Sequence, residues 1–149
     1  MVPGVAGLLG LPRRIDRPDA VALTFDDGPH PEGTPAVLEA LRKDGASAIF
    51  FLCGEQVERD PALAAEIAAA GHTVAVHGYR HRNALRLAPR TFVDDLVRAI
   101  ATIEEAGGSR LTLYRPPYGI FSYPGIAEVK ARGLAPLLWS RWGHDWRAG

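Results

Sequence analysis

The stretch VALTFDDGPH, residues 21–30, joins a continuous apolar run to an abrupt polar turn. A short apolar run that ends at a turn is typical of a strand buried on both faces of a sheet. Four more runs of this kind follow along the chain, namely SAIFFL (47–52), TVAVH (73–77), LTLYR (111–115) and APLLW (135–139). With VALTF (21–25), they predict a sheet of five buried strands.

Amphipathic segments of helical length lie between these strands, and the residues at their ends favour helix boundaries. Thr and Asp cap helix N-termini, Pro suits the first turn, and Gly suits the position after the last turn. The first helix is expected to begin at Thr34 and Pro35 and to end at Gly45, and the second to begin at Asp60 and Pro61 and to end at Gly71. The third is expected to begin at a capping box of Thr91 and Asp94 and to end at Gly107 and Gly108, and the fourth to cover about 124–132 before Gly133. Alternating strands and helices predict an α/β fold with a parallel sheet.

Length and composition indicate one globular domain without a charge imbalance. Of the 149 residues, 17 are basic and 17 acidic, so the formal net charge is zero. This balance does not support binding to nucleic acid or to an anionic membrane. No apolar run approaches the roughly 20 residues of a membrane helix, and residues 1–11 lack the basic region of a secretion signal. The compartment and the oligomeric state stay open.

Polar side chains follow four of the five predicted strands. They are Asp26, Asp27 and His30 after the first, His77 and His81 after the third, Arg115 and Tyr118 after the fourth, and His144, Asp145 and Trp146 after the fifth. Parallel α/β folds bind ligands at the carboxyl ends of their strands. We therefore expect these residues, although distant in sequence, to meet in one cleft.

The spacing within this set is typical of a catalytic metal site. His77 and His81 are four residues apart, so both imidazoles can face one ion. The adjacent Asp26 and Asp27 can do different jobs, one holding a metal while the other faces a water. Two histidines and one carboxylate leave a position open for water. Arg115 can keep a neighbouring carboxylate ionised. Taken singly, each motif also has a simpler interpretation as a turn or a surface group.

These residues resemble the motifs of the polysaccharide deacetylases, carbohydrate esterase family 4, which run in the order T-F-D-D-G, H-[ST]-x-x-H, R-x-P-Y, D-x-x-D-W and L-x-H. The matches are Thr24 to Gly28 for the first motif, His77 and His81 for the second, Arg115, Pro117 and Tyr118 for the third, and Asp145 and Trp146 for the end of the fourth. Gly78 replaces the Ser or Thr of the second motif, and Trp142 stands where the fourth begins with Asp. The fifth motif is absent.

The resemblance implies a fold and a domain division. The family fold is a distorted (β/α) barrel, usually of seven strands, of which this chain supplies five. We therefore expect a lead segment over residues 1–20 and a catalytic domain over 21–149 that is incomplete at its C-terminus.

The resemblance also implies residue roles. Asp27, His77 and His81 would hold a divalent metal, with zinc as the first expectation. Asp26 would be the general base for the attacking water, and Arg115 would keep it ionised.

Three further residues have roles in the family pattern. The backbone N–H of Tyr118 would stabilise the oxyanion, and its side chain would contact the sugar. Asp145 would tune the acid histidine of the fifth motif, and Trp146 would wall the substrate groove.

The implied function is metal-dependent hydrolysis of acetyl groups from the N-acetylated sugars of a chitin-like or peptidoglycan-like polysaccharide. Without the fifth-motif histidine, we expect metal binding with poor hydrolysis, and His144 is a weak substitute. Two alternatives stay open: an O-acetyl esterase acting on acetylated xylan, and a carbohydrate-binding relic without activity.

Other chemically capable residues have a simpler interpretation. His72 precedes its strand and is expected to be structural, and no role follows from the position of His30. Cys53 is expected to be a small buried residue, because no base lies near it. Trp139 is more typical of a core residue than of a sugar platform.

Overall fold

The computed structural model describes residues 11–13, 17, 19–107, 109–141 and 143. Within these residues, five parallel strands form one sheet in which each strand lies beside its neighbour in sequence. The strands are β1 (Leu23–Gly28), β2 (Ala48–Leu52), β3 (Thr73–Val76), β4 (Leu113–Tyr114) and β5 (Ala135–Pro136). This order is that of successive strands in a (β/α) barrel, and it confirms the predicted α/β class.

Helices connect the strands. In the described part of the chain they are α1 (Gly33–Lys43), α2 (Gly54–Arg59), α3 (Pro61–Ala69), α4 (Pro89–Gly107) and α5 (Tyr123–Ala131). Two short 3₁₀ turns, Ala84–Arg86 and Pro117–Gly119, lie in the loops after β3 and β4. None of the described helices combines the length and the apolar character that a membrane crossing requires.

The predicted boundaries of α3 are confirmed. The Asp60 side chain accepts a hydrogen bond from the N–H of Leu63 at 3.1 Å, which is the expected N-cap contact. Pro61 is the first helical residue, and Gly71 adopts a φ of 83° just after the end. Only Gly tolerates that conformation without a steric cost.

The predicted cap of α1 is wrong. The helix begins at Gly33, one residue before Thr34. The ring of His30 takes the capping role, because its Nδ1 accepts from the N–H of Gly33 at 3.1 Å. The Thr34 hydroxyl instead accepts from the N–H of His30 at 2.9 Å.

Other elements also differ from the sequence prediction; β1, for example, is shifted to Leu23–Gly28 and β4 is shortened to Leu113–Tyr114. Helix α4 begins at Pro89, so Thr91 lies inside its first turn and forms no capping box. Helix α2 was not predicted, because six residues carry too little periodicity. Strand β5 ends at Pro136 instead of residue 139, since the N–H of Leu138 leaves the sheet and donates to Pro12 at 2.9 Å.

Strand β2 is buried on both faces, as predicted, whereas β1 is exposed or half-buried along its length, so the prediction of a doubly buried strand is wrong for β1. Phe50 and Leu52 lie in the main core, which they share with Leu96 and Ile103 of α4. Phe51 points to the opposite face and is fully buried there. The domain boundary at residue 20 stays a prediction.

Candidate active site

A β-bulge at the end of β1 separates the two adjacent aspartates. Phe25 pairs with Phe50 and Gly28 with Leu52, so β1 carries one residue more than β2 over this stretch. Such a bulge re-aims side chains. Asp27 adopts a φ of 70°, an uncommon conformation for a residue with a side chain. Asp26 and Asp27 therefore face different partners.

Asp27 meets two histidines from the end of β3 and the loop after it. Its Oδ1 lies 3.2 Å from Nε2 of His77 and 3.3 Å from Nε2 of His81. All three atoms lie within 4.8 Å of one another. Two ligands about 2.1 Å from a tetrahedral zinc ion would lie about 3.4 Å apart. The separations to Asp27 are close to that spacing.

The tautomer of His77 also fits a metal ligand. Its Nδ1 lies 2.7 Å from the carbonyl oxygen of Arg115, and because a carbonyl only accepts, Nδ1 carries the proton. In the neutral ring, Nε2 then presents a lone pair to the carboxylate of Asp27. Two hydrogen-bond acceptors this close would repel each other unless a cation, either a proton or a metal ion, lay between them. The second hydrogen bond of the ring is typical of metal-bound histidine.

Burial and the contacts between the three side chains shift the pKa values of Asp27 and His81. The imidazole of His77 holds the pKa of Asp27 below its ordinary value, and partial burial opposes this effect. Burial lowers the pKa of His81, with Asp27 acting in the opposite direction. An ionised carboxylate and a neutral imidazole are the forms that bind metals.

Arg115 is buried at the base of the site. Its side chain is 2% exposed, and Nη1 donates to Asp26 Oδ1 at 2.6 Å and to the hydroxyl of Thr24 at 2.8 Å. Its Nε donates to the carbonyl of Leu137 at 3.3 Å, and the guanidinium lies 4.0 Å from the ring centroid of Phe51. Burial lowers the pKa of Arg115, and the neighbouring Asp26 opposes this. These contacts fix the position of the Asp26 carboxylate.

Tyr118 lies on the other side of the site, in the 3₁₀ turn after β4. It has a φ of 60°, and with Asp27 it is one of two non-glycine residues in the described chain with positive φ. Such conformations cluster at functional sites. Its ring centroid is 4.4 Å from that of His81. Within the described residues, the N–H of Tyr118 has no protein acceptor.

Asp95 of α4 is a supporting residue that the sequence did not reveal. Its Oδ2 accepts the N–H of Tyr79 at 2.8 Å, and the N–H of Arg80 also donates to it. Both donors belong to the loop that carries His77 and His81. Gly78 in this loop lacks the hydroxyl of the family motif, so Asp95 supplies a hydrogen-bonding anchor. Only contact between α4 and the loop identifies this role.

The structure brings together six of the residues singled out in the sequence, and their catalytic and metal-binding roles stay predictions. They are Asp26, Asp27, His77, His81, Arg115 and Tyr118. Asp145 and Trp146, with Trp142 and His144, lie outside the described residues.

The remaining candidates lie elsewhere or have structural contacts. Cys53 is 2% exposed and burial raises its pKa, so its predicted role as a small buried residue is confirmed. His72 packs against Phe50 before β3, away from the site, as expected. The ring of Trp139 lies 5.2 Å from the guanidinium of Arg115.

Comparison with known proteins identifies relatives of this chain. The profile of the polysaccharide deacetylase family matches residues 13–137. A chitooligosaccharide deacetylase from Bradyrhizobium sp. (strain ANU 289) is 38% identical over 128 residues, covering 85% of this chain and 58% of that protein. A peptidoglycan-N-acetylglucosamine deacetylase from Bacillus cereus is 32% identical over 127 residues, covering 85% and 46%. The chain thus spans about half the length of these curated relatives.

Solved structures show the same fold. A family 4 carbohydrate esterase from Streptomyces lividans, in complex with acetate, has a TM-score of 0.82 at 33% identity, covering 87% of this chain and 67% of that one. A pseudoenzyme of the same family from Bacillus anthracis has a TM-score of 0.82 at 27% identity, covering 86% and 46%. These likenesses confirm the predicted fold type, and the chain belongs to the polysaccharide deacetylase family.

Proposed function

We propose that this protein is a metal-dependent deacetylase that hydrolyses the N-acetyl groups of a glycan. The observation that carries the proposal is the meeting of Asp27, His77 and His81 beside an Asp26–Arg115 ion pair. A metal site alone could have a structural or a ligand-binding role. A second, separately oriented carboxylate beside it is what hydrolysis requires.

Asp27, His77 and His81 would hold the metal ion. Two imidazoles and one carboxylate suit zinc and leave a coordination position open. A bound zinc ion would polarise the acetyl carbonyl and make the attacking water more acidic. His77 is already oriented for this task by its hydrogen bond to Arg115.

Asp26 would take the proton from the attacking water. Its Oδ1 is held by Arg115, so Oδ2 is the oxygen that can accept this proton. The carboxylate is 28% exposed, so substrate and water can reach it. Because three polar contacts and the ring of Phe51 fix the guanidinium, the base is positioned before substrate binds.

Tyr118 would stabilise the oxyanion that forms as water attacks the acetyl carbon. Its N–H is an unused donor within the described residues, and its turn lies against the ring of His81. A fixed backbone donor at such a position needs no rearrangement during the reaction. The left-handed conformation of Tyr118 is the local feature that supports this role.

The substrate that we propose is a glycan containing N-acetylglucosamine. The names of two relatives specify chitooligosaccharide and peptidoglycan N-acetylglucosamine as their substrates. No observation favours acetylated xylan. A non-catalytic role has a precedent in the Bacillus anthracis pseudoenzyme, but the Asp26–Arg115 pair argues against it because sugar binding needs neither residue.

Acetate release tests this function directly. The zinc-loaded protein is expected to release acetate from N-acetylglucosamine tetramers or peptidoglycan fragments, slowly in keeping with the poor hydrolysis expected from the sequence, and to release less from acetylxylan. Asp26→Asn is expected to lower the rate about 10²- to 10⁴-fold while zinc stays bound. A zinc-loaded protein that releases no acetate from any of these glycans would support the non-catalytic alternative.

A further inference from the structure

The segment that follows the metal-ligand loop is strongly basic. Between residues 80 and 93 the chain has four arginines, Arg80, Arg82, Arg86 and Arg90, and no acidic residue. The whole chain has a formal net charge of zero, so this segment is a local concentration of positive charge. Positive charge grouped on one segment attracts anionic ligands.

Two of these arginines line a groove beside the candidate active site. The groove has a volume of about 450 Å³ and is lined by Arg82, Asn83, Arg86, Leu87, Tyr118 and Ile120. Tyr118 also contacts His81, so the groove and the candidate metal site share a wall. Its volume lies in the range of ligand-binding clefts. The groove therefore lies next to the place that an acetyl group bound at the site would occupy.

Within the part of the chain that the structure describes, neither guanidinium group in the groove has a carboxylate within ion-pair distance. Among the described residues, neither Arg82 nor Arg86 forms an ion pair, whereas Arg80 faces Glu55 at 3.9 Å. Arg82 also borders a neighbouring depression that contains Asp95, and its charge acts to lower the pKa of that carboxyl, whereas Arg86 does not border that depression. Two planar cations that have no ion-pair partner within about 4 Å in the described chain are suited to a carboxylate, which guanidinium binds with paired hydrogen bonds.

The backbone that carries these arginines is well defined. Asn83 accepts the N–H of Leu85 at 3.0 Å, which caps the 3₁₀ turn, and the N–H of Arg86 donates to the Asn83 carbonyl at 3.0 Å. Ala84 is buried and anchors the turn to the core. Asn83 itself lines the groove, and its amide NH₂ donates no hydrogen bond to another described residue. A preformed set of donors reduces the cost of ordering on binding.

We propose that this groove is a subsite for a carboxylate carried by the glycan substrate, bound by Arg82 and Arg86. The apolar surfaces of Leu87, Ile120 and Tyr118 would contact the sugar faces. This inference rests on the proposed function and adds the substrate class, an acidic glycan in preference to a neutral one. Neutral N-acetylglucosamine oligomers would occupy the groove without using its charges.

Three substrates of matched length test the subsite. They are a neutral N-acetylglucosamine tetramer, an alternating tetramer of N-acetylglucosamine and N-acetylmuramic acid with free carboxylates, and the same tetramer with those carboxylates amidated. The variant is Arg82→Gln/Arg86→Gln. The control is Arg90→Gln, an exposed arginine of the same segment that does not line the groove.

The zinc-loaded protein is expected to have a higher kcat/KM for the acidic tetramer than for its amidated form. The double variant should reduce this preference roughly tenfold, mainly through KM, and the Arg90 variant should keep it. The preference should also weaken as salt rises. Equal turnover of the acidic and amidated forms, or an undiminished preference in the double variant, would overturn the subsite.

Binding measurements separate this inference from the proposed function. If no substrate releases acetate, the proposed function fails, and NMR titration of the zinc-loaded protein with the acidic and amidated tetramers still tests the groove. Tighter binding of the acidic form that is lost in the double variant supports the subsite. Equal affinities overturn it.

Discussion

The Nδ1–H of His77 donates to the carbonyl oxygen of Arg115 across 2.7 Å, and this bond joins the two halves of the candidate site. On one side, His77 faces Asp27, and on the other, the Arg115 guanidinium pairs with Asp26. The bond uses the backbone of Arg115 and not its side chain. Metal binding and orientation of the base should therefore be separable by substitution.

Replacing Arg115 with Lys is expected to slow catalysis and retain metal binding. Lysine keeps a charge, but a single ammonium group cannot contact Thr24, Asp26 and the Leu137 carbonyl with the geometry of guanidinium. We expect kcat to fall about 10²-fold, with zinc affinity within about threefold of the original. Acetate release and zinc titration measure the two effects. If kcat and zinc affinity fell together in a variant that still unfolds cooperatively, metal binding and orientation of the base would not be separable.

Replacing His81 with Ala is expected to weaken zinc binding more than about 10²-fold, because loss of one of three protein ligands removes a direct metal bond. Competition with a chromophoric chelator measures the affinity. His72→Ala is the matched control, since His72 packs on Phe50 before β3 and away from the site. Similar affinity losses in both variants would exclude the proposed ligand set.

The sequence predicted the features that depend on local pattern. Continuous apolar runs predicted β2 at 47–52, and the structure places it at Ala48–Leu52. The rule that ligands bind at the carboxyl ends of parallel strands predicted that Asp27 and His81 would lie close together, although they are far apart in the chain. These inferences succeeded because strand burial and sheet order determine them.

Features that depend on tertiary contact were not predictable. The bulge that turns Asp27 toward the histidines arises from the pairing of β1 with β2, and no residue type in β1 predicts it. His30 replaced Thr34 as the cap because its ring reaches the first turn of α1. Asp95 anchors the metal-ligand loop only because α4 packs beside it. Each depends on which distant segments meet, and local sequence patterns do not reveal those contacts.

The stability of the metal-free protein is expected to fall as the pH drops below 6.5. Burial holds the pKa of His81 below its ordinary value of 6.5, so the unfolded chain takes up a proton before the folded one does. The free energy of unfolding then decreases with falling pH in the window below 6.5. Urea unfolding with a chelator, from pH 8 to 5, measures this. His81→Gln should reduce the slope of the unfolding free energy against pH. An unchanged slope would show that other groups cause the pH dependence.

Replacing Asp95 with Ala is expected to lower zinc affinity about tenfold, although Asp95 is not a proposed ligand. The N–H groups of Tyr79 and Arg80 would lose their acceptor, and the loop that carries His81 would lose its anchor to α4. Asp94→Ala is the matched control, because Asp94 is an exposed acid one residue earlier on the same helix. Equal zinc affinities for the two variants would mean that the anchor does not position the ligands.

Replacing Gly78 with Ser restores the family motif, yet we expect it to weaken zinc binding. Gly78 has a φ of 88°, and an added Cβ would lie 3.3 Å from the carbonyl oxygen of Arg80 and 3.4 Å from Asp95 Oδ2. A residue with a side chain is strained in this conformation, at a cost of about 1–3 kcal/mol. The loop must shift to accept it, which moves His77 and His81 apart from Asp27. Zinc titration and thermal unfolding of Gly78→Ser, beside Gly78→Ala, measure the cost. A gain in affinity for Ser but not for Ala would show that the loop accepts the family conformation and that Asp95 is not its necessary anchor.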